Sequence, residues 1–479
     1  MSTALIWTIL TPIHELLVMY AVYTVLRRPR EPRAMLAWIL ALIFLPVLGL
    51  VLYVLIGEPR LHRTRRRRRR RRIRFIQTMR RQAELRAGRS GRASHSENRA
   101  IDSFMKLVGR IGGLPPTAGN DVVVHHDSEK MFLELSLAIQ SARSHVHMEY
   151  YIYQPDETGR AIRDLLVAKA REGVKCRLLL DFVGSWKLFP RFLRPLREAG
   201  VEVVFFMPVL PWRGRWRVNF RNHRKIVVID GKIGFTGSQN IGDEYAGRHH
   251  VEWRDTHVRV TGPAVHHLQE IFIEDWYFAS RRQIDQDLSA YFPLPSAEGG
   301  QLVQVVPSGP DRESNVLHLL LLGAIGAARE SLSIATPYFV PDQAMIMSLQ
   351  SAAYRGVRVR LLIPSQNDHK IVLWAGRTYY NEIIQSGIEV YEYSQAMLHS
   401  KVIVVDDVLA LVGSANFDER SLRLNFEVSM VLYGPELAGS LYQDFETLLQ
   451  EAKRISVRHH DGPIENIKLG LARLISPLL

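Results

Sequence analysis

Two short segments of this 479-residue chain carry the same unusual set of side chains. His223-Arg-Lys225-Ile-Val-Val-Ile-Asp230 is followed, after six intervening residues, by Gly237-Ser238-Gln-Asn240. His399-Ser-Lys401-Val-Ile-Val-Val-Asp406 is followed, after the same interval, by Gly413-Ser414-Ala-Asn416, and all shared positions are offset by 176. A histidine and a lysine two apart on an extended chain project to one face. The apolar run behind them reads as a buried strand. Gly-Ser-x-Asn then supplies a tight turn with a hydroxyl and an amide. Two such units facing each other would surround one small anion with two imidazoles and two ammoniums. That set suits a tetrahedral phosphate, with one histidine as nucleophile and the other as general acid and base. With no cysteine or acidic cluster beside the motifs, and lysine a poor zinc ligand, the reading requires no metal and no cofactor.

The segments that must position these groups are duplicated too. Gly173-Val-Lys-Cys-Arg-Leu-Leu-Leu180 recurs as Gly356-Val-Arg-Val-Arg-Leu-Leu-Ile363, and Gly200-Val-Glu-Val recurs as Gly387-Ile-Glu-Val. Helix-like runs at 161–172 and 342–355 precede the first of these pairs. Alternating helix and strand patterns in both halves predict an α/β fold, with two tandem sandwich domains at 119–295 and 296–479. Between Gly200 and His223 the first half holds eleven more residues than the second, including Pro211-Trp-Arg-Gly-Arg-Trp-Arg217. Alternating indole and guanidinium groups suit a membrane interface, and equally a packed surface loop. The pairs His249–His250, His266–His267 and His459–His460 lack ligand spacing and read as solvated or core histidines.

The N-terminus points to a membrane. Residues 34–56 are 23 consecutive uncharged, mostly apolar residues. As one helix, with a kink expected at Pro46 and Gly49, they would span about 34 Å, enough for a hydrocarbon core of about 30 Å. Residues 4–26 form a second apolar stretch, interrupted by Pro12 and His14–Glu15. The expectation is a transmembrane hairpin over residues 1–57, with helices at about 4–26 and 34–56, followed by a basic juxtamembrane linker over 58–118. The formal net charge is +14, and residues 57–92, with sixteen arginines against Glu58 and Glu84, account for all of it. Arg63 to Arg74 therefore reads as a contact with anionic headgroups that keeps the body cytoplasmic. The remaining body is nearly neutral, which argues against nucleic acid as a partner. The single cysteine, Cys176, excludes an intrachain disulfide.

The paired HxKx₄Dx₆GSxN signature resembles that of the phospholipase D superfamily. Together with the N-terminal apolar pair, Thr336-Pro-Tyr-Phe-Val-Pro341, Asn416-Phe-Asp-Glu-Arg-Ser421 and Asn425-Phe-Glu427, it resembles the bacterial cardiolipin synthases over nearly the whole chain. The resemblance implies two phospholipase D-like domains behind a membrane anchor, in a multi-pass protein of the bacterial inner membrane. It also implies phosphatidyl transfer between two phosphatidylglycerols through a phosphohistidine. The catalytic set it implies is His223, Lys225, Asp230, His399, Lys401 and Asp406, with His223 as nucleophile and His399 as acid and base. Asp230 and Asp406, just past the strand, read more readily as tethers of their turns than as proton carriers. Ser238, Asn240, Ser414 and Asn416 would bind phosphate oxygens, and Asp255 and Glu427 would orient the histidines. A hydrolase releasing phosphatidic acid, or a nuclease, would use the same motif pair. The apolar segments and near-neutral body disfavour the nuclease.

Overall fold

The structure, a computed structural model, describes residues 3–27, 32–57, 99–209, 219–248, 253–285, 288–295, 299–312, 315–457 and 462–475. The arginine run, most of the Trp-Arg insertion, His249–His250 and His459–His460 lie outside them. Fifteen strands of the described residues pair into one mixed sheet, and its order shows the duplication. At the centre Thr117–His125 lies antiparallel to Gln301–Ser308, with an irregularity between Thr117 and Asn120. Outward from this pair the halves match strand for strand. His257–Thr261, Ile233–Gly237, Ile226–Ile229, His145–Tyr150, Lys175–Asp181 and Glu202–Phe206 follow on one side. Glu427–Tyr433, Leu409–Gly413, Val402–Val405, Ser331–Ala335, Arg358–Pro364 and Glu389–Tyr393 follow on the other, with Ala452–Ile455 added at that edge. In each half the last three matched strands run parallel, joined through helices, as in a βαβ unit.

Packing explains why the motif strands are apolar at every position. Ile226 and Val228 enter a core shared by both halves, together with Val402, Val404 and Val428. Val227 and Ile229 face the other way, into the first half's own helix-covered core. Ile403 and Val405 do the same in the second half. Each side chain of Ile226–Ile229 is at most 1% exposed, and burying one stabilises by about 1.5–3 kcal/mol. The strands are thus fixed on both faces, and the polar residues just ahead of them are held at the junction between the halves.

Two expectations change. Residues 99–111, assigned by sequence to the linker, form a helix whose Ile101, Phe104, Val108 and Ile111 sit in the second half's core, packed on helix Val316–Ala327. Their spacing makes one apolar face, which cannot stay in water. The second apolar segment is two helices, Pro32–Phe44 and Pro46–Ile56, separated at Leu45. Pro46 has no amide to donate and disfavours helical backbone at the residue before it. With Thr3–Arg27 these helices share a small cluster of Ala21, Val25, Leu42 and Tyr53, closed by a 2.6 Å hydrogen bond between Thr24 Oγ1 and the Tyr53 hydroxyl. Among the described residues, no helix is long and apolar enough to cross a membrane.

Candidate active site

His223 and Lys225 do not lie in the strand they introduce. They occupy the extended lead-in to Ile226–Ile229, where the backbone partner of His223 belongs to the other half. The His223 amide donates to Phe426 O at 2.9 Å, and the His399 amide donates to Arg254 O at 2.8 Å. Phe426 precedes Glu427 and Arg254 precedes Asp255, so each histidine is laid beside a carboxylate from the opposite half. His223 Nδ1 is 3.0 Å from Glu427 Oε2 and 2.9 Å from the Ser414 carbonyl. His399 Nδ1 is 2.8 Å from Asp255 Oδ1. A carbonyl and a carboxylate only accept, so Nδ1 carries the proton and Nε2 keeps its lone pair.

Both lysine ammoniums donate to the backbone carbonyl of their own motif histidine, Lys225 Nζ to His223 O at 2.8 Å and Lys401 Nζ to His399 O at 2.7 Å. Burial pushes Lys225 down to about 7 and Lys401 down to about 8. The Lys401 ammonium acts in the same direction at Lys225, while Glu427 and Asp255 oppose it. Burial also pulls His223 below the ordinary imidazole value, against the pull of Glu427, and it pulls His399 down together with Lys401. For Asp255, burial works upward but His399, Lys401 and the Ser238 hydroxyl outweigh it, holding the acid down to about 2. The site is therefore two neutral imidazoles against two carboxylates, beside two easily discharged ammoniums.

The motif serines lie against the acids that pair with the histidines. Ser238 Oγ donates to Asp255 Oδ1 at 2.6 Å, and Ser414 Oγ donates to Glu427 Oε2. Both are fully buried and hold the histidines' partners. Asn240 Oδ1 accepts from the Ile152 amide at 3.1 Å. Asn416 Oδ1 is buried without a hydrogen-bond partner. Asp230 and Asp406 do not join the constellation either. Each lies past a four-residue strand, roughly 13 Å further along the chain at about 3.3 Å per residue. Asp230 accepts the amides of Arg143, Ser144 and His145 at 2.8–2.9 Å, and Asp406 accepts those of Arg329, Glu330 and Ser331 at the same distances. Both adopt positive φ, which aspartate tolerates. They tie the turn after one strand to the start of its neighbour.

Sequence reasoning missed several contributors. Ser421 and Asn425 donate to Glu427 Oε1 at 3.0 and 3.1 Å. Arg224, buried between His223 and Lys225, donates to the carbonyls of Glu427 and Ser308 at 3.0 and 2.9 Å and pairs with Asp275. Alternation was the available signal for Arg224, since it must face away from its two neighbours. Tyr151 packs its ring 4.8 Å from that of His223, and Trp253 lies 5.0 Å from His399.

Duplicated α/β halves with one reciprocal histidine–carboxylate site define a phospholipase D-type phosphodiester-transfer fold. A family model described as "Cardiolipin synthase, PLD-like domain" matches residues 135–276 and 321–449, and one described as "Phospholipase_D-nuclease N-terminal" matches 16–58. Cardiolipin synthase of Geobacillus kaustophilus is 38% identical, over 94% of this chain and 90% of that protein. The major cardiolipin synthase of Bacillus subtilis is 37% identical, over 96% and 97%. Phosphatidylserine synthase of Haemophilus influenzae shares the fold, with a TM-score of 0.60 at 15% identity, covering 79% of this chain and all of that one. The chain belongs to the cardiolipin synthase family of the phospholipase D superfamily.

Proposed function

We propose that this enzyme is a membrane-anchored phosphatidyltransferase that joins two phosphatidylglycerols into cardiolipin and releases glycerol. The observation that carries the mechanism is the reciprocal pairing of His223 with Glu427 and His399 with Asp255, in a chain over a third identical to cardiolipin synthases. His223 Nε2 attacks phosphorus of the first lipid and the bond from phosphorus to the glycerol oxygen breaks; His399, which takes up a proton at Nε2 as the anionic phosphate enters, gives it to the departing glycerol oxygen. His399 then takes the proton of a headgroup hydroxyl on the second lipid. That oxygen attacks phosphorus and releases His223. One phosphodiester replaces another, so no nucleotide is consumed. Lys225 and Lys401 hold the non-bridging oxygens and Asn416 turns its amide to the same phosphate, while Asp255 and Glu427 stabilise the imidazolium formed in turn. The N-terminal helices are the anchor, inserted as a multi-pass hairpin, and the arginine run keeps the body on the cytoplasmic, anionic leaflet.

The test is product analysis of the purified full chain in vesicles of labelled phosphatidylglycerol with EDTA present. Cardiolipin and glycerol are expected, and phosphatidic acid as the main product would overturn the transferase reading in favour of a hydrolase. His223→Ala and His399→Ala should each abolish turnover, with a phosphoenzyme trapped only in the second. A trapped adduct on His399 would reverse the two roles.

A further inference from the structure

The reciprocal pairing of His223 with Glu427 and His399 with Asp255 means that the pseudo-twofold relating the halves passes between the two histidines. Any surface feature present at the same place in both halves therefore stands at equal height on either side of the site. One such feature is apolar. In the first half, the segment leaving strand Lys175–Asp181 exposes Trp186 and Phe189, 67% and 64% accessible, on either side of Lys187 and the buried Leu188. In the second half, the segment leaving strand Arg358–Pro364 leads into helix Lys370–Arg377, which exposes Ile371 and Trp374 beside the exposed Lys370.

Both segments adjoin the motifs. Ser185 Oγ donates to Tyr151 O at 3.0 Å, and the Tyr151 ring lies on His223. A Cβ on Gly184 would collide with that same carbonyl, so glycine permits the close seat. In the second half the Tyr338 hydroxyl donates to Asp368 Oδ1 at 2.8 Å. Gly376 packs on the carbonyl of Phe339, whose strand pairs with Phe417–Asp418, directly after Asn416. Packing against the core accounts for only one side of helix Lys370–Arg377: Ala375 and Gly376 are buried, while Ile371 and Trp374, one turn apart, face outward.

The C-terminal helix Pro463–Ile475 enlarges the second patch. It packs beside helix Lys370–Arg377 and is held by Ala472 in the core and by Arg473 stacked 4.9 Å over Tyr379. Its outward residues Ile467 and Leu471, 63% and 58% accessible, are one turn apart, with exposed Lys468 beside them. Aromatic and aliphatic side chains with exposed Lys187, Lys370 and Lys468 set among them, repeated on both sides of a site, fit one partner: a flat anionic layer with an apolar interior.

We infer that Trp186–Phe189 and the paired helices at 370–377 and 463–475 are two bilayer-docking feet that seat the shared site on the lipid surface. This rests on the lipid-substrate reading above and adds to it where the body meets the membrane. Docking of the body, separate from any N-terminal anchor, would let both lipids reach the histidines without leaving the bilayer.

Cys176 is the one cysteine of the chain and is buried, so a single introduced thiol can be labelled with an environment-sensitive fluorophore. The full chain would carry Trp186→Cys, Trp374→Cys or Ile467→Cys, with Tyr354→Cys, 74% accessible at the opposite end of the second-half strands, as the control. In phosphatidylglycerol vesicles, labels at 186, 374 and 467 should brighten severalfold relative to detergent, and the label at 354 should not. Labels that stay aqueous while the protein is vesicle-bound would overturn the inference. So would brightening in detergent that rises with protein concentration, because that would mean a second copy covers the patches. The readout needs no turnover, so it remains decisive if the product assay fails. The double variant Trp186→Ser/Trp374→Ser should lose about tenfold in rate on vesicles and keep its rate on dispersed short-chain phosphatidylglycerol. Equal loss on both substrates would also overturn it.

Discussion

His223 Nδ1 lies 3.0 Å from the carboxylate of Glu427, 204 residues further along the chain and in the other half of the molecule. The counterpart pair, His399 and Asp255, spans 144 residues at 2.8 Å in the opposite sense. Neither half holds both members of either of these two dyads. Each supplies the imidazole to one and the acid to the other, so the site exists only when both halves are folded and docked.

Glu427→Gln and Asp255→Asn should therefore each disable one histidine while sparing the fold. An amide in place of the carboxylate can turn its donor toward Nδ1, favouring the wrong tautomer and losing the charge that stabilises the imidazolium. A fall in kcat on the order of 10²–10⁴ is expected for each. Steady-state rates with the thermal midpoint measured alongside check this; a loss under tenfold in both would remove the carboxylates from the mechanism.

Ser238→Ala and Ser414→Ala discriminate between two jobs for the hydroxyls. Loss of a hydrogen bond to a charged group costs about 1.5–3 kcal/mol, so kcat should fall about 10- to 100-fold with KM nearly unchanged. A direct phosphate contact would instead raise KM. Adding Ser414→Ala to Glu427→Gln should cost little more, because the serine acts through that carboxylate.

Asp230→Ala and Asp406→Ala should act on stability. Each removes the acceptor for three backbone amides, at about 1–3 kcal/mol. The thermal midpoint should drop by several degrees while the folded enzyme keeps its kcat within about threefold. A catalytic collapse at unchanged midpoint would return these aspartates to the chemistry.

The pH profile follows from the buried lysines. Both are useful to a phosphate only as ammoniums, and burial lowers them to about 7 and about 8. Protons leave as pH rises through that range, so kcat/KM on dispersed short-chain phosphatidylglycerol should fall above pH 7–8, well below the ordinary lysine range. Lys401→Arg should shift that basic limb upward at reduced rate, since guanidinium stays charged. A profile flat to pH 10 would show that neither ammonium is needed in charged form.

What the sequence by itself determined is local. An extended chain turns a two-residue spacing into one shared face, and an apolar run becomes a doubly buried strand wherever it falls. His223, Lys225, His399 and Lys401 could be singled out on that basis, as could the duplicated halves around them. The same local logic marked Pro46 as a kink within residues 34–56, but not that the helix would stop at Phe44 and a second begin at Pro46. It also left residues 99–111 in a linker, since an amphipathic face does not say which half it will cover. Tertiary structure alone decided which acid faces which histidine and that Ser238 and Ser414 bind those acids. It also turned Arg224 away from the site to brace the Glu427 backbone. Those contacts join residues brought together only when the strand pair Thr117–His125 and Gln301–Ser308 fuses the two sheets. Their free energy depends on burial and on partners more than a hundred residues away, which no periodicity in the chain encodes.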